Sequence, residues 1–222
     1  MSTKTALPQL PPHDHQPRPY EGPPLAEVAA LRQRYLSPAL LTYYKEPLMI
    51  VEGSMQYLYD ETGRRYLDGF GGIVTVSVGH SHPYVLQKAK EQLDLLQHTT
   101  TIYYHPTIAA YGKMLADKMP GDLSVCYFVN SGSEANDTNI RFVHRYFDLL
   151  GKPEKKLIIS RKNAYHGSTI AAASLGGMSA MHKQARGLDY VHHINQPHWF
   201  EIGAEEDPEA FGVRVARELE AK

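Results

Sequence analysis

From Val125 onward, the sequence alternates between short apolar runs and longer stretches with helical spacing of apolar residues. The apolar runs are Val125–Val129, Lys156–Ser160 and Tyr190–Ile194, and the last helical stretch begins at Asp207-Pro208. Alternation of this kind is typical of a parallel sheet that is covered by helices on both faces. The sequence therefore predicts an α/β fold, in which ligand-binding residues collect at the carboxyl ends of the strands.

The first of these strand ends carries the polar turn "VNSGSEAND", residues 129–137. Backbone N–H groups, a small hydroxyl and the positive end of a helix dipole meet there, which is favourable for a phosphate. The glycine patterns of dinucleotide-binding and nucleoside-triphosphate-binding loops are absent from this turn. The turn predicts either a compact site for one terminal phosphate or an ordinary helix entry with serine as the N-cap.

The next strand end carries "RKNAYHGST", residues 161–169. Tyr165 offers a flat aromatic face, His166 a polar edge, and Gly167 a point where the backbone of another segment can approach closely. Core packing is the alternative interpretation of the Tyr165 ring.

The part of the chain before Val125 has clear local signals. Alternating residues from Met55 to Leu67 predict a β-hairpin with Gly63 at the left-handed turn position, and Pro83 and Pro106 each predict the first turn of a helix. The first 24 residues are rich in proline and polar groups, which predicts an extended or disordered tail. His13 and His15 lie in this tail, where we expect solvated side chains rather than metal ligands.

The composition excludes several function classes. With 42% hydrophobic residues, 21% charged residues and a formal net charge of −1, the chain has no excess charge that indicates nucleic acid or membrane surfaces as partners. No apolar run is long enough for a membrane span, and the N-terminus lacks the pattern of a signal or transit peptide. We therefore expect a cytoplasmic protein without a metal site.

Four motifs in order, "DETGRRYLD", "VTVSVGHSHP", "NSGSEAND" and "NAYHGST", resemble the class III aminotransferases, which use pyridoxal 5′-phosphate. The resemblance implies a fold-type I pyridoxal-phosphate transferase fold, of which the chain holds the N-terminal segment of the small domain and the first part of the large parallel-sheet domain. The domain prediction is a tail over 1–24, a small-domain segment over 25–75 and a partial cofactor-binding domain over 76–222.

The resemblance also implies roles for individual residues. Gly132 and Ser133 would bind the cofactor phosphate, Tyr165 would stack on the pyridine ring, and His166 is the remaining predicted cofactor-binding residue. Glu134 would repel a phosphate, so we expect its carboxylate to point away from the loop. The family further implies a homodimer.

The implied reaction moves an amino group from an amino acid such as alanine to a 2-oxo acid such as glyoxylate or pyruvate. Within the family, "GGIVTVSVGHSHP" looks most like the alanine–glyoxylate branch, whereas "NAYHGST" with "PHWF" also looks like the ω-transaminases, which act on amines or β-amino acids. A third interpretation is a non-catalytic, cofactor-binding remnant.

The catalytic residues of the family have no counterpart in this sequence. Neither the Schiff-base lysine nor the carboxylate that protonates the pyridine nitrogen is found in a matching motif, and both are expected beyond residue 222. Lys162 and Lys183 are interpreted as solvated surface groups. The chain alone is therefore predicted to be an inactive N-terminal fragment.

Overall fold

The computed structural model describes residues 9–183 and 187–222, so the first eight residues of the predicted tail lie outside the described part. The described chain divides into two compact units, one ending at Tyr104 and one beginning at His105. The two units are compact parts of the chain and do not by themselves define domains. The domain boundaries predicted after residues 24 and 75 therefore stay predictions.

The first unit is built around an antiparallel sheet of three strands, which are in order β1 (Ile50–Ser54), β2 (Tyr57–Asp60) and β3 (Arg65–Leu67). Gly63 has a φ of 82° between β2 and β3, which confirms the predicted hairpin and the left-handed turn position. The helix that begins at Pro83 is also confirmed. The elements of this unit are α1 Leu25–Tyr35, β1 Ile50–Ser54, β2 Tyr57–Asp60, β3 Arg65–Leu67, α2 Gly71–Val74 and α3 Pro83–Leu95.

The described part of the N-terminal tail, residues 9–24, has no helix or strand but packs on this sheet. His13 Nε2 lies 3.0 Å from the Tyr59 hydroxyl, and His15 Nε2 lies 2.8 Å from Glu52 Oε1. The amide N–H of Arg18 donates to Glu52 Oε2 and holds the pKa of that carboxyl below its ordinary value. The expectation that the two histidines are solvated is therefore wrong, because the sheet offers each of them a polar partner.

The buried carboxylate of Asp60 organises the hairpin turn. Its Oδ1 accepts hydrogen bonds from the Thr62 hydroxyl at 2.7 Å and from the backbone N–H groups of Thr62 and Arg64, and its Oδ2 accepts from the Tyr66 hydroxyl at 2.7 Å. Burial raises the pKa of Asp60, but these hydrogen bonds outweigh burial, so the pKa lies below the ordinary value for an aspartate.

The depressed pKa of Asp60 makes the first unit sensitive to acid. A carboxyl whose pKa is lower in the folded state stabilises that state fully above its unfolded pKa of about 3.9, and this contribution is lost as the pH falls through the folded pKa. We expect Asp60→Asn to lower the free energy of unfolding at pH 7, with a gap to the unmodified chain that narrows below about pH 4. Urea unfolding curves at several pH values measure this gap, and a gap independent of pH contradicts the assignment.

The second unit contains two parallel strands, β4 (Ile158–Arg161) and β5 (Val191–Ile194). They pair residue for residue, from Ile158 opposite Val191 to Arg161 opposite Ile194. The predicted parallel pairing and the helices that begin at Pro106 and after Asp207 are confirmed. The elements are α4 Pro106–Ala116, α5 Gly132–Leu149, β4 Ile158–Arg161, α6 Ile170–Leu175, α7 Ser179–His182, β5 Val191–Ile194, α8 Trp199–Ile202 and α9 Pro208–Arg217.

One predicted strand of this unit is not formed. Residues 125–129 have no strand conformation, and Val125 is 94% exposed. A strand requires a hydrogen-bonded neighbour, and within the described residues none pairs with this segment. The segment therefore has the apolar composition of a β-strand but lacks the hydrogen bonds to a neighbouring strand.

The buried apolar side chains of the second unit come from α5, α6, β5 and α9. They are Ile140, Ala172, Leu175, Ile194, Phe211 and Val215. Within the described parts of the chain, no helix combines the length and the apolar character that crossing a membrane requires.

Candidate functional site

The amino end of α5 forms a closed capping arrangement. The Ser131 side chain is the N-cap and accepts a hydrogen bond from the Glu134 N–H at 3.1 Å, while Glu134 Oε2 accepts from the Asn130 N–H at 2.7 Å. This is a variant of the capping box, in which the glutamate accepts from the N–H of the residue before the N-cap rather than from the N-cap itself. The expectation that the Glu134 carboxylate points away from the loop is wrong, because an unpaired N–H at the helix entry is a close and favourable partner for it.

Two residues of the first turn keep donors that the capping box does not use. The N–H groups of Gly132 and Ser133 belong to the first turn of α5, where no carbonyl of the helix lies one turn earlier. A Cβ placed on Gly132 meets nothing within 4 Å, so the space beside its backbone is open. This end of the helix can therefore receive an anionic group next to backbone donors and the positive end of the dipole.

The second predicted motif lies in the turn between β4 and α6, and it is joined directly to α5. Ser133 Oγ accepts from the Ser168 N–H at 3.0 Å, and Asn136 Nδ2 donates to the His166 carbonyl at 2.7 Å. The residues concerned are separated by at least 30 positions in sequence. The structure thus brings together the two motifs that the sequence predicts at neighbouring strand ends.

A third connection involves Asp137 and the start of α6. Asp137 Oδ1 accepts from the Thr169 hydroxyl at 2.7 Å and from the Ala172 N–H at 3.2 Å. Thr169 is also the N-cap of α6, so Asp137 supports that cap from the neighbouring helix.

Gly167 allows the close approach of the two segments. Its φ is 129°, and an added Cβ would lie 2.9 Å from Ser133 Cα and 2.8 Å from Ala172 Cβ, with Ser133 Oγ nearer still. Contacts of this kind are shorter than real Cβ atoms make. Only glycine fits this position without moving α5 or α6.

Tyr165 and His166 differ in how their side chains are held. The Tyr165 side chain is 65% exposed, which excludes the core interpretation within this chain. His166 is half-buried, and its Nε2 lies 3.2 Å from Ser160 Oγ at the end of β4. The exposed ring of Tyr165 can accept a flat partner, and His166 is fixed between the strand and α5.

Sequence reasoning missed Asn136, Asp137 and Thr169 as parts of this arrangement. The signal for the first two was present, since Ser133, Asn136 and Asp137 follow the spacing of one helix face. Lys162 and Lys183 are exposed as predicted, and no cluster of three metal-ligating side chains occurs among residues 9–183 and 187–222. The first-turn N–H groups of α5 suit a phosphate, and the exposed ring of Tyr165 suits a flat aromatic partner.

Comparison with known proteins identifies relatives for most of the chain. The family model described as aminotransferase class-III matches residues 42–222. Alanine–glyoxylate aminotransferase 2 homolog 2 (mitochondrial) of Arabidopsis thaliana is 41% identical over 189 residues, which are 85% of this chain and 38% of that protein. Putrescine–pyruvate aminotransferase of Pseudomonas aeruginosa is 37% identical over 202 residues, which are 87% of this chain and 44% of that protein.

Solved structures give the same result for the fold. The ω-transaminase of Pseudomonas jessenii in complex with PMP superposes with a TM-score of 0.75 at 33% identity, over 93% of this chain and 43% of that one. The predicted α/β fold class is thereby confirmed. The chain spans less than half the length of these relatives.

Proposed function

The chain belongs to the class III aminotransferases, and from that premise we propose that the amino end of α5 and the turn after β4 bind pyridoxal 5′-phosphate. Members of this family depend on that cofactor. The Gly132 and Ser133 N–H groups bind its phosphate, Tyr165 stacks on its ring, and His166 borders the ring. The observation that carries the proposal is the direct hydrogen bond between Ser133 and Ser168. It holds the amino end of α5, where a phosphate can bind, close to the turn that carries the exposed ring of Tyr165.

The chemistry of each group supports its role. The phosphate is a dianion at neutral pH, and the open backbone beside Gly132 lets it approach first-turn N–H groups that have no acceptor within the helix. The bound cofactor supplies a reactive aldehyde and an electron-withdrawing ring for amino transfer. The backbone N–H groups and side chains of this chain bind and orient that group, and Tyr165 covers one face of the ring against water.

The proposed reaction is transfer of an amino group from an amino acid such as alanine to a 2-oxo acid such as glyoxylate or pyruvate. The name of the Arabidopsis relative supports this assignment. An amine donor, as in an ω-transaminase, is the second candidate, and the names of the putrescine–pyruvate enzyme and of the Pseudomonas jessenii enzyme favour it. A donor panel of alanine, putrescine and a β-amino acid, with glyoxylate as the common acceptor and a longer chain that also supplies the Schiff-base lysine, distinguishes the two.

We also propose that the 222 residues alone do not turn over substrate, since no lysine among them lies in a Schiff-base motif of the family. A cofactor-binding remnant without catalysis is the corresponding third candidate. Incubation of the chain with pyridoxal 5′-phosphate, alanine and glyoxylate tests this proposal through the release of pyruvate. Sustained turnover, together with one specific lysine labelled after borohydride reduction, would refute it.

A homodimer is proposed on the exposure of the aromatic residues Tyr103 and Tyr104, of which Tyr104 is fully exposed. Sedimentation of the chain at several concentrations tests it. The cytoplasmic location stays a prediction.

The contribution of Tyr165 is the sharpest test of the binding site. We expect Tyr165→Phe to keep most of the affinity for pyridoxine 5′-phosphate, because the ring remains, whereas Tyr165→Ala loses about 1 kcal/mol. This probe has no aldehyde, so surface lysines do not react with it, and titration calorimetry measures its dissociation constant. Equal affinities of the Ala and Phe variants would show that the ring does not stack on the ligand.

A further inference from the structure

Three polar side chains on one face of α5 hold the turn that carries Tyr165. Ser133, Asn136 and Asp137 occupy positions i, i+3 and i+4, which lie on the same side of a helix. We call these three side chains and their partners in residues 166–172 the polar seam. Every member of the seam contacts the same short segment, so α5 and the turn meet along a line rather than at one point.

The members of the seam differ in what they do. Ser133 lies next to the proposed phosphate site, whereas Asn136 and Asp137 lie one turn further along the helix. Asn136 fixes the carbonyl of His166, the residue after Tyr165, and Asp137 fixes the cap of α6 on the other side of Gly167. The turn is therefore held on both sides of its closest approach to the helix.

The surroundings make these hydrogen bonds difficult to replace by water. Gly167 and Ala172 are buried, and both Asn136 and Asp137 are half-buried. Loss of one partner leaves a poorly solvated polar group, which is more costly than the loss of an exposed hydrogen bond.

We propose that Asn136 and Asp137 are positioning residues of the cofactor site, which fix the distance between the first-turn N–H groups of α5 and the ring of Tyr165. The inference rests on the proposed function. A ligand that carries both a phosphate and a ring gains from binding the two parts at once only if this distance is fixed, because the second contact then forms within one complex. A ligand with the phosphate alone has no such dependence.

The test compares two probes in the same variant. Pyridoxine 5′-phosphate carries phosphate and ring, and inorganic phosphate carries only the first. The ratio of their dissociation constants cancels any change in charge near the phosphate. We expect Asn136→Leu, which removes the donor, and Asp137→Ala, which removes the acceptor, each to weaken pyridoxine 5′-phosphate relative to phosphate by about tenfold, or ~1.4 kcal/mol.

Two controls separate positioning from a general effect of substitution. Asp137→Asn retains an acceptor oxygen for Thr169 and Ala172, and Asn139→Ala changes an exposed residue of the same helix. Both should leave the ratio unchanged. An equal fall of the ratio in the Asp137→Asn and Asp137→Ala variants would overturn the proposal, because the Asp137→Asn variant keeps the acceptor oxygen to which the positioning role is assigned.

A second measurement needs no substitution. The N–H groups of Ser168 and Ala172 donate to the seam, so their hydrogen exchange reports its stability. Pyridoxine 5′-phosphate should slow exchange at both positions more than inorganic phosphate does, and equal protection by the two probes would overturn the positioning role. An unchanged ratio in every variant overturns this inference alone, whereas no binding of pyridoxine 5′-phosphate to the unmodified chain overturns the proposed function as well.

Discussion

Gly167→Ala should lower the free energy of unfolding of the second unit by about 3 kcal/mol, because one added methyl group must displace helix backbone at a left-handed position. The new Cβ would overlap the Ser133 side chain and lie 2.9 Å from Ser133 Cα. Rotation of the Ser133 hydroxyl relieves only the first contact, whereas the contacts with Ser133 Cα and Ala172 Cβ are relieved only when α5 or α6 moves. Such a movement also separates the first turn of α5 from the Tyr165 turn.

The matched control is Gly212→Ala, which lies in the interior of α9 in the same unit. A Cβ at Gly212 meets nothing within 4 Å, and its φ is not positive. Alanine there should stabilise the unit by about 0.5–1 kcal/mol through its higher helix propensity. Urea unfolding followed by the fluorescence of Trp199, the single tryptophan of the sequence and a residue of the same unit, measures both effects. Equal stabilities of the two variants would show that the segments do not meet at Gly167.

Local signals in the sequence predicted the elements that depend on few residues. The hairpin turn at Gly63 requires one residue with positive φ, and the helices after Pro83, Pro106 and Asp207 require a first-turn proline or a capping carboxylate. In each case the determining interaction lies within a few residues. Such features can be deduced from a single sequence.

Features that depend on distant residues were predicted less well. Residues 125–129 have the composition of a strand, but strand formation depends on a partner ladder that no local pattern specifies. Glu134 was assigned an orientation from its charge, whereas the nearby Asn130 N–H decides it. Contacts of Asn136 and Asp137 span 30 to 35 residues, so helical spacing indicates which face they share but not which segment they meet.

Gly132→Val should leave stability nearly unchanged but weaken binding of pyridoxine 5′-phosphate by at least about tenfold, or ~1.4 kcal/mol. A Cβ at Gly132 meets no atom of another segment within 4 Å, so the valine side chain begins in open space. The added methyl groups instead occupy the open space through which a phosphate approaches the first-turn N–H groups. Affinity for the proposed ligand and stability of the fold are thus separated at this position.

The same measurement on pyridoxine, which lacks the phosphate, identifies which part of the ligand is excluded. Its weaker binding should be the same in the Gly132→Val variant and the unmodified chain, because the Tyr165 ring is unaffected. An unchanged dissociation constant for pyridoxine 5′-phosphate would contradict the phosphate assignment at Gly132. Together with Gly167→Ala, the variant separates two requirements for glycine. Gly167 is needed because a neighbouring segment of the chain fills the space of a side chain, whereas the proposed function requires Gly132 because the ligand would occupy that space.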